Sequence, residues 1–357
     1  MMVTIGDGQV DRILIRLPNW VGDIMMALPA VQLVKQTFPE AWLIGMARAN
    51  HIALVKRCPA FGEVVSASPQ TSQTGLARYR AIWASARKLR TVDVDVAVLM
   101  ATSFEAVLTA WLAGIPVRVG HGTDYRRVLL NKVVEVVDGH RSDGFLDLVS
   151  ASGSQSADSR NMLCCTASDR QYAESFFHSA GIRLGTRPVF VNPAAAKTPR
   201  AWSADRFFRL VQEIGRRHED LPVIVHDRYP FEGPPGWAAS RSVHALTDAS
   251  LVELAAVIER CSLYVGNDSG PMHIAAALGV PTIGIYGPSN PNRTAPRGAN
   301  GTTHIAVSAG FSCSPCRERF FQECPSPPSL DSRPSCLNEV SVDQVAVEVD
   351  RVLQSLD

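Results

Sequence analysis

The sequence predicts an α/β protein made of two Rossmann-like domains. Three observations carry this expectation. Apolar runs of strand length alternate with helix-length patterns, as in βαβ units on a mostly parallel sheet. The alternation weakens between Asp138 and Gln171 and then resumes, so there are two series. The chain has 357 residues, which suits two domains of ordinary size better than one.

In the first series, RILIRL (12–17) reads as a strand. The loop PNWVGD follows, then a helical stretch from about Ile24 to Phe38 in which Pro29 implies a kink or restart. AWLIGMA (41–47), VDVAVLM (94–100) and PVRVG (116–120) continue as strands. The run ASGSQSADSR is small, polar and loop-like, and YAESFFHSAGI reads as a helix closed by Gly181. PVFVNP (188–193), LPVIVHD (221–227), SLYVGND (262–268) and PTIGIYG (281–287) are the strands of the second series. The expected division is 1–180 for the first domain and 181–340 for the second. An amphipathic helix in 341–357 is expected to pack back onto the first domain. Two such domains facing each other would form a central cleft at the carboxyl ends of their strands, where open α/β sheets bind ligands.

Composition narrows the function classes. Hydrophobic residues make up 46% and charged residues 19%, enough apolar surface for two cores and too much for wholesale disorder. A net charge of +1 carries no global signature of a nucleic-acid binder. No apolar run approaches a membrane span, and the start has acids and no small-residue cleavage site, so a cytoplasmic protein is expected. Charge distribution says more than its sum. No acid occurs from Val64 to Val92, whereas Arg78, Arg80, Arg87, Lys88 and Arg90 do, and Arg118, Arg126, Arg127 and Lys132 follow. These residues are a solvated face, a grip on an anionic acceptor, or a contact with anionic headgroups.

The richest stretch is SLYVGNDSGPMHIAAALGVPTIGIYGPSNP (262–291). A strand ends in helix-capping residue types, Asn267, Asp268 and Ser269, with Pro271 in the first turn and Gly279 closing the helix. Backbone N–H groups from Ser269 and Gly270 onward, with the positive end of the helix dipole behind them, suit a diphosphate. Gly270 would allow close backbone approach. Asp268 would accept hydrogen bonds from sugar hydroxyls, and His273, one turn on, would donate to a phosphate oxygen. The plainer reading is a strand–helix turn with a capping Asp and a packed His. A second strand-end loop, in VFVNPAAAKTPRAWSADRF (189–207), carries Lys197 and Arg200, two cations able to neutralise a leaving diphosphate, or a solvated basic loop. In the first domain Asp23 is either a helix cap or a carboxylate that takes a proton from an acceptor hydroxyl.

Taken together, IRLPNWVGDIMMALPAV, FEAVLTAWLAGIPVRVGHG (104–122) and NDSGPMHIAAALGVPTIGIYGPSNP resemble the ADP-heptose–lipopolysaccharide heptosyltransferases of glycosyltransferase family 9. The W-V-G-D-x-M-M form is most similar to heptosyltransferase II. The resemblance implies a GT-B fold and an inverting transfer without metal or other cofactor. The donor would be ADP-L-glycero-D-manno-heptose and the acceptor a heptose of the inner core on lipid A, met at the inner face of the inner membrane. It implies Asp23 as catalytic base, Asp268, Ser269, Gly270 and His273 as the donor turn, and Arg200 where relatives carry a diphosphate-binding Lys, with Lys197 sharing that role. Trp20, Arg118 and Arg126 are carried as acceptor contacts. Two positions depart from the family pattern: Pro193-Ala194-Ala195 replaces P-G-A, and Arg200-Ala201-Trp202 replaces Lys-Arg-Trp.

Other readings stay open. Asp93-Val94-Asp95 matches a metal-binding D-x-D but precedes an apolar strand and reads as its start. Cys313, Cys316, Cys324 and Cys336 hold a structural zinc, form a disulfide or remain thiols. A nicotinamide oxidoreductase is disfavoured because no G-x-G-x-x-G follows the first strand. A family member with another nucleotide-sugar, a protein acceptor or no catalysis is the remaining alternative.

Overall fold

The computed structural model of the chain describes residues 10–67, 75–123, 125–149, 162–183, 185–195, 200–227, 242–298, 302–314, 316 and 334–356. The chain divides into two compact units, Met1–Cys164 and Cys165–Asp357, each carrying one six-stranded sheet.

The first unit runs β1 (Arg12–Arg16), α1 (Val21–Thr37), β2 (Trp42–Ala47), α2 (Ile52–Val55), β3 (Glu63–Ser66), α3 (Leu76–Arg90), β4 (Val96–Leu99), α4 (Phe104–Leu112), β5 (Val117–His121), β6 (Lys132–Val134) and α5 (Arg141–Val149). Its strand order is β3-β2-β1-β4-β5-β6, all pairings parallel. β1 is central and buried from Ile13 to Arg16, which explains its unbroken apolar reading. Strand order reverses between β1 and β4, so the loops leaving their carboxyl ends diverge and open a crevice. α1 continues through Pro29 as one helix. Asp95 belongs to the opposite, amino edge of the sheet. Its Oδ2 accepts the N–H groups of Asp11 and Arg12, both at 2.9 Å, and Asp93 turns the chain with φ +54°.

The second unit runs α6 (Ala167–Ser179), β7 (Val189–Asn192), α7 (Ala204–Arg217), β8 (Val223–Asp227), β9 (Val243–Thr247), α8 (Leu251–Glu259), β10 (Leu263–Asn267), α9 (Gly270–Ala277), β11 (Thr282–Tyr286), α10 (Pro291–Thr294), β12 (His304–Ser308), α11 (Ser335–Asn338) and α12 (Val342–Gln354). The order β12-β11-β10-β7-β8-β9 is again parallel, with its reversal between β7 and β10. One face of this sheet packs on Trp202, Phe207 and Leu210. The Trp202 indole is buried, meets Phe207 edge-on at 5.0 Å and donates to Val340 O at 3.0 Å.

Two expected boundaries change. The units part at Cys164/Cys165, ahead of residue 180, because α6 docks on α8. Arg170 pairs with Glu259 at 2.8 Å, Arg260 pairs with Glu174 at 3.0 Å, and the Arg260 guanidinium lies over the Phe177 ring. The C-terminal helix α12 joins the second unit, its apolar face on that unit's own core through Val345, Ala346, Val349 and Val352. Charge fixes it there. Arg217 and His218, at the end of α7, reach Asp350 at 2.5 and 2.8 Å.

This clamp gives an expected pH dependence. Hydrogen bonds from Arg216 and Arg217 hold the Glu213 carboxyl down at about 2. Partial burial pushes Asp350 up, but hydrogen bonds from His218 and Arg217 outweigh it and hold that carboxyl below its usual range. Both folded pKa values are depressed, so the stabilisation is complete above the ordinary carboxylate range and fades as pH falls from about 4.5 toward about 2. Thermal unfolding midpoints should therefore fall more steeply over that window in the wild type than in Arg217→Gln. Parallel curves would show that the clamp contributes nothing.

Among the described residues no helix is long and apolar enough to cross a membrane.

Candidate functional site

In the second unit the site grows from two strand ends, β7 and β10, that lie side by side with Asn192 in register with Gly266. Both strands end on Asn, and both Asn side chains are fully buried. Asn267 accepts the Trp202 N–H and donates to Pro193 O, each at 2.8 Å, tying the loop after β7 to the end of β10. Asn192 accepts from His226 Nδ1 at 3.0 Å and donates to Tyr264 Oη at 2.9 Å and Ser269 Oγ at 3.3 Å. A Cβ at Gly266 would stand 2.7 Å from Tyr264 Oη and 2.9 Å from Asn192 O, so this packing requires glycine there. Burial pushes the Tyr264 phenol far above its ordinary pKa, leaving it a neutral hydrogen-bonding member of the network.

The network determines what the start of α9 presents. Ser269 is the cap residue, extended at φ −150° and ψ 167°, but its side chain makes no capping bond and is held by Asn192 instead. The anion-binding edge is narrower than the sequence reading, because Pro271 has no N–H and Met272 N–H donates to Ser269 O. The Ser269 and Gly270 amides remain as the positions suited to an anion, half-buried at the helix mouth. Gly279, with φ +75°, closes the helix as expected.

Beside this edge lies a charge cluster. Asp268 is buried, Arg200 Nη1 stands 3.4 Å from its Oδ2, and His273 Nε2 stands 3.9 Å from its Oδ1. The three expected site residues therefore meet. Arg200 is engaged with Asp268 as well as lying near the helix mouth. Tyr286 completes the wall. Burial, reinforced by the Asp268 charge, pushes its phenol well up, and the hydroxyl donates to Thr294 O at 2.7 Å. Lys197 lies outside the described residues. Asn192, His226 and Tyr264 are not evident from sequence, and Asn267 reads there only as a helix-capping type. The readable signal was that two core strands each end on an Asn.

In the first unit, Asp23 is the third residue of α1 and not its cap, because the helix already begins at Val21, behind an extended Trp20. Its carboxylate lies in the first turn, where the helix dipole favours negative charge. Arg141, the first residue of α5, stands 3.2 Å away, a partner not anticipated from sequence. The preceding loop is held from beneath. The Arg16 guanidinium donates to Leu17 O and to Asn19 Oδ1, and His51 Nε2 contacts Asn19 O at 3.3 Å. Burial lowers the Arg16 pKa to about 10 and also depresses that of His51. Trp20 is 62% exposed, with the Arg48 guanidinium 5.9 Å from its ring centre.

Two expected acceptor contacts are spent elsewhere. Arg118 donates to Leu129 O at 2.6 Å and Ile115 O at 2.5 Å, holding the turn between β5 and β6. Arg126 is fully buried against Gly120 and donates to Leu99 O. Basic composition in a strand-rich segment did not reveal that these two guanidiniums satisfy backbone carbonyls.

Among the described residues no group of three or more His, Cys, Asp or Glu gathers as metal ligands would. Cys324 lies outside those residues, so the four-cysteine expectation does too.

The chain is 26% identical over 306 residues to lipopolysaccharide heptosyltransferase 2 of Escherichia coli, covering 80% of this chain and 85% of that one. It is 24% identical over 296 residues to the lipopolysaccharide core heptosyltransferase OpsX of Haemophilus influenzae, covering 77% and 79%. Among solved structures it resembles ADP-heptose lps heptosyltransferase II of E. coli, with TM-score 0.75, 21% identity and coverage of 97% and 100%. It also resembles the E. coli heptosyltransferase WaaC with ADP, with TM-score 0.66, 16% identity and coverage of 96% and 98%. The structural likeness shows a shared GT-B-like fold. The model of glycosyltransferase family 9 (heptosyltransferase) matches residues 82–324, well over half of the chain, and with two parallel α/β units behind that match the protein belongs to this family of glycosyltransferases.

Proposed function

We propose that the protein is an inverting heptosyltransferase of lipopolysaccharide core assembly. It would move a heptosyl group from ADP-L-glycero-D-manno-heptose to a heptose of the inner core on lipid A. The observation that carries this reading is the meeting of Arg200, Asp268 and His273 beside the start of α9, whose own cap side chain is turned away. That arrangement offers backbone amides and a guanidinium to a diphosphate, and a carboxylate to sugar hydroxyls. The relatives' activity, and the ADP held by the related WaaC, support the same donor class.

In this mechanism Asp23 takes the proton of the acceptor hydroxyl as that oxygen attacks the anomeric carbon. The C–O bond to ADP breaks on the opposite face through an oxocarbenium-like transition state. Charge growing on the departing diphosphate is met by Arg200 and by the Ser269 and Gly270 amides. Arg141 would orient the Asp23 carboxylate, and Lys197 would add a second cation at the donor. The acceptor is lipid-borne, so the enzyme would work peripherally at the inner face of the inner membrane, with no nucleic acid involved.

The deciding experiment measures ADP release from ADP-heptose with three acceptors: lipid A carrying one inner-core heptose, a protein, and none. Release that depends on the heptosylated lipid is expected. Release with the protein acceptor, or none with any, overturns the acceptor assignment.

A further inference from the structure

Large apolar side chains are not left in water evenly over this molecule. Among the described residues the second unit exposes two, Val347 and Leu356, and the others lie in the first unit. Five of them sit on two adjacent parallel helices. α3 exposes Leu76 at 78%, Tyr79 at 63% and Trp83 at 54%, and α4 exposes Phe104 at 42% and Trp111 at 49%. The helices are joined side by side by Arg78 on Glu105 at 3.5 Å and by Arg90 on Leu112 O at 2.9 Å.

Helical spacing shows that this is a surface and not scatter. Leu76, Arg80, Trp83 and Arg87 follow at i, i+4, i+7 and i+11 and form one stripe of α3, away from its buried residues Ile82, Ala86 and Leu89. Phe104 and Trp111 are seven residues apart and make the matching stripe of α4. Cations lie among the apolar groups. Arg80 and Arg87 are exposed within the stripe, Lys88 flanks it, and the Arg87 guanidinium sits 5.8 Å from the Trp83 ring centre. α3 has no acid, and the Glu105 of α4 is already paired with Arg78. Isolated exposed aromatics are ordinary, but an apolar row interleaved with arginine on α3 beside a pair of exposed aromatics on α4 is not.

We propose that the outer face of α3 and α4 docks the enzyme on an anionic phospholipid bilayer. Charge complementarity selects this occupant. Trp and Tyr rings settle at headgroup level, where one side is apolar and the other wet. Arginine stems lie along the apolar surface and their forks reach headgroup phosphates. Buried apolar area and attraction to anionic lipid add in such interfacial helices. The proposal rests on the lipid-borne acceptor proposed above, and it assigns that membrane contact to a surface separate from the residues given roles in transfer.

The test uses the full chain with vesicles of phosphatidylcholine alone and of phosphatidylcholine with phosphatidylglycerol. Sedimentation with the anionic vesicles, weakening as salt rises, is expected for the wild type. Leu76→Glu/Trp83→Glu, and separately Arg80→Glu/Arg87→Glu, should bind at least tenfold more weakly with unchanged thermal midpoints. Transfer to a vesicle-embedded acceptor should fall in step, while transfer to a deacylated, soluble acceptor stays at the wild-type rate. Wild-type binding that is absent or indifferent to lipid charge overturns the proposal, and so does undiminished binding by both variants. A dimer that Leu76→Glu/Trp83→Glu splits, without vesicle binding, would make this face a contact between copies and also overturn it. If the wild type binds anionic vesicles but transfers to neither acceptor, the activity reading fails while the docking surface stands.

Discussion

Asp23→Ala is expected to lower kcat by roughly 10²- to 10⁴-fold, the range in which a positioned general base contributes. Donor-side binding should hardly change, because ADP is assigned to the other unit, so ADP affinity measured by calorimetry should match the wild type. Magnitude separates this role from the plainer one. A carboxylate in the first turn of a helix contributes only about 0.3–1 kcal/mol to stability through the dipole. Its pairing with the part-exposed Arg141 at 3.2 Å adds little more. If Asp23 serves only the helix, the variant will show a slightly lower thermal midpoint and near-normal turnover, and the base assignment fails. Asp23→Asn sharpens the comparison. It keeps the shape and most hydrogen bonding but cannot take a proton, so its kcat should be as low as that of Asp23→Ala.

Arg200→Ala is expected to cut kcat by about 10²- to 10³-fold, the loss seen when one donor aimed at a developing anion is removed. Arg200→Lys should recover part of that, since a point charge survives but the planar fork does not. The geometry complicates the simple picture, because Arg200 stands 3.4 Å from the buried Asp268. Removing the guanidinium also deletes an ion-pair partner of a buried carboxylate, which destabilises the fold. Turnover should therefore be measured below the unfolding range of each variant. A loss of less than about threefold in kcat, with only the midpoint lowered, would make Arg200 a structural partner of Asp268 and remove it from the proposed leaving-group site.

Much of the second site was legible before folding. Asp268, Ser269, Gly270 and His273 lie within one six-residue stretch, so strand, turn and helix signals alone place them at one strand end. Arg200 was legible as a cation in a strand-end loop, but its engagement with Asp268 was not. The two lie 68 residues apart, and only the pairing of β7 with β10 brings their loops together. Asn192 and His226 were missed for a related reason. A polar residue closing an apolar run looks like the end of a strand, and its network depends on which strand lies beside it. The short edge strands β3 and β6 also went unread, because half-buried edges lack a strong apolar period.

The first unit shows the limit more sharply. Sequence presented Arg118 and Arg126 as members of a basic group, whereas folding turned both onto backbone carbonyls. A guanidinium's destination depends on which carbonyls the packing leaves unpaired, and periodicity does not record that. The same holds for the ends of the units. Amphipathicity announced α12 as a packing helix but not its partner, which Asp350, Arg217 and His218 select.

Local sequence dictates two parallel α/β series, the turn that opens α9, the position of Asp23 behind the first strand, and the acid-free basic stretch from Val64 to Val92. All of these follow from local spacing, since hydrophobic period, capping types and glycine positions act within a few residues. Tertiary structure alone decided that Arg141 meets Asp23, that Arg200 meets Asp268, that Asn192 holds Ser269 off its own helix, and that the aromatic rows of α3 and α4 lie side by side. The reason is strand permutation. Both sheets place their central strands beside strands distant in the chain, so charges and buried amides find partners across separations that no local pattern encodes.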